Sequence, residues 1–322
     1  MVLISVLMAS YNHGEFISEA IESVLNQTFK DFELIVIDDY SKDNSREIIK
    51  KYKEKDDRIK IRFHDENKGP AKTLGECIGM AEGKFIAVIN SDDVWVKMKL
   101  EKQLKILKIN ENLIVYSSRA LIDSKGMPLK DPHYSSKNDY TENIFTKFLL
   151  GKAYIFFSSI IFKREHLEDI RFHEICNFCT DYLIEIELAQ KYTYYYISEP
   201  LAKKRVHGKS ILSTIKNGTI LKEMSKIRTY FLKKYSNAIP KKIKSSINLR
   251  LGLEYLKYGE KKEARSYFCS AIVNNPLDVK NFWFLVESFV NWDNLRRFLS
   301  KIYYIILKRD EYLNVYSVRT FN

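Results

Sequence analysis

The sequence predicts an α/β protein: a Rossmann-like, mainly parallel sheet with helices on both faces, followed by an α-helical C-terminal extension. Three observations predict it. Short apolar runs recur through the first 120 residues, with amphipathic stretches between them. Those runs are apolar throughout rather than alternating, as in strands covered on both faces. From about residue 216 the pattern changes to helices with basic outer faces.

Each element follows in order. Residues 3–9 (LISVLMA) form a first buried strand, and residues 15–25 carry Phe16, Ala20, Ile21, Val24 and Leu25 on one helical face. Residues 33–37 (ELIVI) give a second strand that runs into Asp38 and Asp39. A helix follows over 45–52, with Asp43 or Asn44 as its N-cap. Residues 59–63 are the third strand; Pro70 starts the next helix and Gly83 ends it. Residues 85–89 (FIAVI) give a fourth strand that runs into Asn90, Ser91, Asp92 and Asp93. Residues 98–107 form an amphipathic helix and 113–116 a fifth strand. Residues 121–142, polar and holding Gly126, Pro128 and Pro132, read as an excursion or lid. Residues 154–162 and 192–197 are strand-like, with a helix over 181–190 between them. Residues 249–276 have the small-and-aromatic alternation of one tetratricopeptide-like hairpin, closed by Pro276.

Charge divides the chain in the same way. Residues 216–322 hold 21 Lys and Arg against 9 Asp and Glu, whereas residues 1–215 balance at 32 of each. The reading is therefore a neutral chemical domain over 1–215 and a basic helical region over 216–322, suited to a negative partner. Apolar residues make up 45% of the chain, enough for a sizeable core. No run of 18 apolar residues reads as membrane-spanning, and the first nine residues lack the basic start of a signal peptide. Four cysteines are too few for a disulfide framework, so a reduced, cytoplasmic protein is expected.

Two of these strands end in paired aspartates, at the edge where parallel sheets bind ligands. Two like charges about 4 Å apart cost about 4 kcal/mol at an effective dielectric near 20. Such a crevice therefore needs hydrogen-bond donors or a hard divalent cation, which also suits a nucleoside diphosphate leaving group. A helix cap explains Asp43 alone, but two adjacent caps at Asp92 and Asp93 would be redundant.

A series of motifs then identifies the chain. Ser5-Val6-Leu7-Met8-Ala9-Ser10-Tyr11-Asn12, Asn26-Gln27-Thr28-Phe29, Ile37-Asp38-Asp39-Tyr40-Ser41-Lys42-Asp43, Asn67-Lys68-Gly69, Ala81-Glu82-Gly83-Lys84 and Ser91-Asp92-Asp93 occur in this order. Together they resemble the family 2 glycosyltransferases of the GT-A fold over about the first 100 residues, with a weaker match to about residue 213. The resemblance implies that Tyr11 and Asp39 contact a nucleotide base over a floor at Ala9. Asp38 and Asn67 join that binding set, Asp38 as a supporting group. Asp92 is implied at the ribose or beside the metal, and Asp93 as the main protein ligand of Mn²⁺ or Mg²⁺. Asp181, at a helix start, matches the family's catalytic base, a role compatible with capping that helix. Arg205-Val206-His207 resembles a late segment near the diphosphate, with His207 as a metal ligand or phosphate donor. The chain departs from the family at Ala9, Asn90 and Leu74-Gly75, where many members have Pro, Asp and Arg-Asn. The last departure bears on donor-sugar contacts.

The resemblance implies an inverting transfer of a hexose or N-acetylhexosamine from an NDP-sugar, UDP-sugar expected, to a hydroxyl of a glycan or lipid-linked acceptor in cell-surface polysaccharide or glycoconjugate synthesis. Two alternatives stay open: a polyprenyl-phosphate glycosyl synthase, whose phosphate acceptor needs no strong base, and an inactive nucleotide-binding scaffold, which the helical hairpin would suit. A sugar nucleotidyltransferase would want a Gly-rich basic loop after the first strand, which Tyr11-Asn12-His13-Gly14 does not supply. No P-loop or dinucleotide fingerprint occurs, and no nucleic-acid recognition motif accompanies the basic tail. The Cys176–Cys179 spacing would need His166 or His173 to complete a zinc site and is discounted. Residues 292–309 set Arg296, Arg297, Lys301, Lys308 and Arg309 among Leu, Ile and Tyr. They suit an anionic membrane surface, at the inner face of the membrane, or form an ordinary packed helix with a solvated basic face.

Overall fold

A computed structural model describes residues 2–131, 136–167, 176–208 and 218–289. In chain order its first part contains β1 (Ile4–Ser10), α1 (Ile17–Leu25), β2 (Phe32–Asp38), α2 (Ser45–Lys53), β3 (Ile59–Phe63), α3 (Pro70–Met80), β4 (Phe85–Val88), β5 (Val94–Trp95), α4 (Lys99–Ile109) and β6 (Ile114–Ile122). It continues with β7 (Pro128–Leu129), β8 (Tyr140–Glu142), α5 (Phe145–Leu149), β9 (Ile161–Lys163), α6 (Thr180–Lys191) and β10 (Tyr194–Arg205). The chain divides into two compact units, residues 1–148 with 153–228, and residues 149–152 with 229–322.

Among the described residues the strands form one mixed sheet in the order β3-β2-β1-β4-β9-β6-β10-β5, with β7 on β6 and β8 on β10. The long pairings are parallel: β1 with β2 and β4, β2 with β3, and β6 with β10. β9 is antiparallel to both β4 and β6. Two reversals restore the direction, so β1, β2, β4, β6 and β10 all finish at one edge. Ser10 lies beside Asp38 in that register, which brings the loops after β1 and β2 together. The core is made by these strands and their helices: Val6, Met8, Leu34 and Val36 pack with Ile17, Ile21, Leu100 and Leu104, all buried.

Several expectations change in detail. β6 runs on to Ile122 rather than stopping at 116, because β10 pairs with it along its whole length. β10 likewise continues to Arg205 past Pro200. Its register shifts on either side of that proline, the kind of irregularity at which a strand accommodates a residue without N–H. Residues 154–162 are not one strand. Phe157–Ser159 is a 3-10 helix, and only Ile161–Lys163 joins the sheet. Side-chain bonds compete with the ladder here: Trp95 Nε1 donates to Ser158 O at 2.6 Å and Gln103 Nε2 to Ser159 O at 2.6 Å. Parts of the supposed lid are strands, β7 and β8, while residues 132–135 lie outside the description. Gly83 does not end α3, which stops at Met80.

The second unit is helical, over Lys241–Lys257, Lys261–Asn274 and Val279–Phe289, with Gly259 (φ 78°) in the first turn between them. Phe268 fills the space beside Gly252, and Ser245 Oγ donates to Ala271 O at 2.9 Å. No described helix is long and apolar enough to cross a membrane. The basic stretch at 292–309 lies outside the described residues.

Candidate functional site

The carboxyl edge of the sheet gathers three loops. After β1 the chain turns at Asn12, whose φ of 52° is left-handed. Asn12 is among the few non-glycine types that take this conformation readily. Asn12 N donates to Ser41 Oγ at 2.8 Å, and Lys42 N donates to Asn12 Oδ1 at 2.8 Å, so the β1 and β2 loops clasp each other. Asp43 completes the clasp, accepting from Gly14 N at 2.8 Å and Ser45 N at 3.0 Å. It therefore ties two loops together as well as serving the start of α2. Tyr11 stands out from this turn, 42% exposed, and Ala9 is half-buried behind it.

The paired aspartates of β2 look inward. Asp38 is fully buried and takes bonds from Ser41 N (2.9 Å), Ser41 Oγ and Arg46 Nε (2.8 Å). Its carboxylate is spent on holding the loop, so it does not present an acceptor to a ligand. Asp39 accepts from Lys68 N and Gly69 N, each at 2.8 Å, and sits 2.7 Å from His64 Nδ1. Asn67 Nδ2 donates to Asp39 O at 3.2 Å. Asp39 thus fixes the Asn67-Lys68-Gly69 loop, next to a cavity of about 410 Å³ lined by Arg62, Phe63, His64, Asp65, Lys68 and Glu76 among others. Glu76 meets Lys68, Arg62 and His64 there; these partners, Lys68 first, outweigh partial burial and bring its pKa down to about 2. Sequence reasoning missed His64 and Glu76, which no motif marks.

Asp92 and Asp93 face opposite ways. Asp93 is buried; its Oδ2 accepts from Ser158 Oγ (2.6 Å) and Asn90 Nδ2 (2.9 Å), and its Oδ1 from Arg205 N (3.1 Å). Burial, then the charge of Asp92, push its pKa up to about 7, with those donors pulling back. The expected metal ligand Asp93 thus lies beneath the surface with both oxygens hydrogen-bonded within the protein. Asp92 is the open one. His207 Nε2 lies 3.0 Å from its Oδ2, and His13, His207 and Asp92 each offer a ligand atom within 4.8 Å of the others. Burial alone would raise the pKa of Asp92, but the His207 bond and the positive fields of His13 and His207 leave it lowered. His13 lies 2.8 Å from Ser91 Oγ through Nδ1, and Phe16 packs on the His207 ring at 4.4 Å. Two imidazoles and one carboxylate form a donor set that fits a divalent cation. Among the described residues this is the one such group. Cys176 and Cys179, whose buried thiols are pushed up in pKa, are not part of any.

Arg205 locks the edge. Its Nε donates to Asp92 O (2.9 Å), one terminal nitrogen to Asp123 O (3.2 Å) and the other to Glu19, with the guanidinium over Phe16. It is 97% buried, and its role here is to set the strand-end loop. Asp181 stands apart in the first turn of α6, with no hydrogen bond or ion pair to the Asp92 group. The connection is β10, whose Arg205 holds Asp92 and Asp93 and whose Lys204 acts electrostatically on Asp181. Asp181 reaches solvent, yet surrounding protein dehydrates its carboxyl and raises its pKa; Tyr182 N and Lys204 offset only part of this.

Residues 5–171 match the family model described as Glycosyl transferase family 2. The chain is a family 2 glycosyltransferase. It is 32% identical over 219 residues to an uncharacterized glycosyltransferase of Methanocaldococcus jannaschii, covering 66% of this chain and 74% of that one. It is 29% identical over 212 residues to TuaG of Bacillus subtilis, whose name places it in teichuronic acid biosynthesis, covering 66% and 82%. Over 125 residues it is 38% identical to the UDP-Glc:alpha-D-GlcNAc-diphosphoundecaprenol beta-1,3-glucosyltransferase WfgD of Escherichia coli, covering 39% and 49%. The glycosyltransferase shares its GT-A fold with S. aureus TarS, at a TM-score of 0.61 and 18% identity over 85% of this chain and 81% of the TarS fragment 1–349. TarS has also been crystallised with UDP and with UDP-GlcNAc.

Proposed function

We propose that this glycosyltransferase moves a hexose or N-acetylhexosamine from a UDP-sugar to a hydroxyl of a glycan or lipid-linked acceptor, with inversion, in the synthesis of cell-surface polysaccharide. The observation that carries the reading is the Asp92–His13–His207 group at the carboxyl edge of the sheet, with a dehydrated carboxyl, Asp181, beyond it on α6. The UDP-sugar donor is supported by WfgD and TarS, and the pathway by WfgD and TuaG. Asp92, His13 and His207 would hold the Mn²⁺ or Mg²⁺ that the family resemblance implies. A cation held there supplies positive charge against the diphosphate as it leaves.

The protein's own groups do the rest. Tyr11 stands exposed where the base would lie, above Ala9, on a loop tied through Asn12 and Ser41 to Asp38. Asp181 takes the proton of the acceptor hydroxyl as its oxygen bonds to the anomeric carbon and the bond from that carbon to UDP breaks. Its raised pKa makes it a stronger proton acceptor than a free aspartate. One base with no second nucleophile gives a single displacement, hence inversion.

Titration calorimetry with UDP and Mn²⁺ tests the site. Asp92→Asn is expected to weaken metal-dependent UDP binding at least tenfold, about 1.4 kcal/mol, and Asp93→Asn to weaken it less. UDP binding indifferent to Mn²⁺, or unchanged in Asp92→Asn, would overturn the reading and favour an inactive scaffold. Asp181→Asn is expected to keep UDP affinity and to lose roughly 10²–10⁴-fold in turnover. Retained turnover would favour the polyprenyl-phosphate synthase instead, since a phosphate acceptor is already ionised. We also propose that the basic tail holds the enzyme to the inner membrane surface; deleting residues 290–322 should then abolish salt-sensitive sedimentation with anionic vesicles.

A further inference from the structure

We propose that Tyr154, Lys204 and Arg119 form an acceptor subsite for a sugar that carries negative charge. The inference rests on the reading of Asp181 as the acceptor-side base. Tyr154 is 62% exposed, unusual for a large aromatic side chain set among charged neighbours. Lys204 Nζ lies 3.2 Å from its hydroxyl and 5.6 Å from its ring centroid, and Arg119 Cζ lies 5.2 Å from the same centroid. Two cations hold the ring without covering it. An open aromatic ring is the surface on which the C–H face of a pyranose packs, and the cations beside it select what the sugar carries.

The charge around the ring is unequal. Arg119 Nε pairs with Asp131 at 3.2 Å, so its charge is largely answered. Among the described residues no carboxylate lies within ion-pair distance of Lys204; its one hydrogen bond is to Tyr154. Lys204 acts electrostatically on Asp181, whose pKa it lowers against the larger raising effect of burial. Lys204 therefore offers, beside the ring, an ammonium with no carboxylate in ion-pair contact among the described residues. An acceptor whose hydroxyl meets Asp181 and whose ring lies on Tyr154 would place an anionic substituent near that ammonium. A diphosphate or phosphate on the anomeric carbon meets the description, and so does a uronic carboxylate. The two share one chemistry, a pyranose that carries an anion.

The position within the fold separates this subsite from the donor side. Lys204 and Arg205 are consecutive on β10, and successive strand residues point to opposite faces. Arg205 turns to Asp92 O, Asp123 O and Glu19, while Lys204 turns to Tyr154. One strand thus steadies the donor-side loop with one residue and offers the acceptor a charge with the next.

Ligand-observed NMR on the full chain, without donor and without turnover, tests the subsite with three probes: N-acetylglucosamine 1-phosphate, methyl β-D-glucuronide and methyl β-D-glucoside. At least one of the two anions should bind about tenfold more tightly than the neutral glucoside, as a charge-assisted bond requires, and the stronger of the two names the source. Lys204→Gln should erase the margin, Tyr154→Ala should weaken all three probes, and Tyr154→Phe should retain most of their affinity. UDP affinity should stay unchanged in each variant. Equal binding of neutral and anionic probes, no binding of any, or a margin that survives Lys204→Gln overturns the proposal. A loss of UDP affinity matching the probe loss in Lys204→Gln would assign the ammonium to the donor diphosphate and also overturn it. Failure of the base reading is seen separately, as turnover retained in Asp181→Asn.

Discussion

Adjacent carboxylates on one short loop, Asp92 and Asp93, meet different solvents and so different chemistry. Asp93 is enclosed by Ser158, Asn90 and Arg205 N, while Asp92 lies beside two imidazoles. The same logic applies to Asp39, whose oxygens serve the Asn67–Gly69 loop before any ligand arrives. His166 shows what burial without partners does. Its ring is 96% buried, stacks on Tyr192 at 3.8 Å, and has no hydrogen bond at either nitrogen. Burial brings its pKa down from 6.5 to about 4. The unfolded imidazole takes a proton below about pH 6.5 and the folded one only below about 4, so stability falls as pH drops through that window. The loss is on the order of 3 kcal/mol. His166→Phe, which keeps the stacking, should lose less stability than the wild type between pH 7 and pH 4 in urea titrations; an equal loss in both would assign the acid sensitivity elsewhere.

At the scale of elements, close approach matters as much as propensity. Gly83 sits where α3 gives way to β4, and its N donates to Ser5 Oγ at 2.8 Å. Ser5 Oγ in turn donates to Glu33, a buried carboxylate that also accepts from Glu82 N at 2.8 Å and pairs with Lys60 at 2.7 Å. A Cβ on residue 83 would lie 2.5 Å from Ser5 N and 2.7 Å from Ile4 C, backbone atoms that cannot step aside without moving β1. Gly83→Ala should therefore cost roughly 1–3 kcal/mol, as overpacking does, and lower the thermal midpoint. A midpoint equal to the wild type's would mean β1 gives way more easily than its buried ladder implies. The 3-10 turn at Phe157–Ser159 belongs to the same class of effect, since Ser158 serves both Trp95 and Asp93 and cannot also extend β9.

For the whole molecule, two compact units predict two separable responses. The second has its own cluster of Ala264, Phe268 and Phe284. A Cβ at Gly252 would lie 2.4 Å from the buried Phe268 ring. Gly252→Val should thus destabilise the helical unit by roughly 1–3 kcal/mol and shift its unfolding to lower urea. UDP·Mn²⁺ affinity measured below that transition should stay within about twofold of the wild type, because one tenfold change already corresponds to 1.4 kcal/mol. Loss of UDP binding in step with the helical unit would mean that the two units unfold together.

The parallel strands β1–β4, β6 and β10, their order along the chain and the family were legible in the sequence, because buried parallel strands write themselves as continuous apolar runs and strand-end motifs keep their spacing. Apolar periodicity also located α1, α2 and α4, and the charge asymmetry marked a change of character near the start of the helical region. What the sequence could not determine was direction. Which of two neighbouring aspartates turns outward depends on donors 65 and 112 residues away, Ser158 and Arg205, that only the folded sheet brings to the loop. Likewise His13 and His207 meet Asp92 only because five strands finish at one edge. A one-dimensional pattern records burial and turn chemistry, which are local; the grouping of charges is decided by contacts across the sheet, and there the tertiary structure set His13 and His207 beside Asp92 and enclosed Asp93.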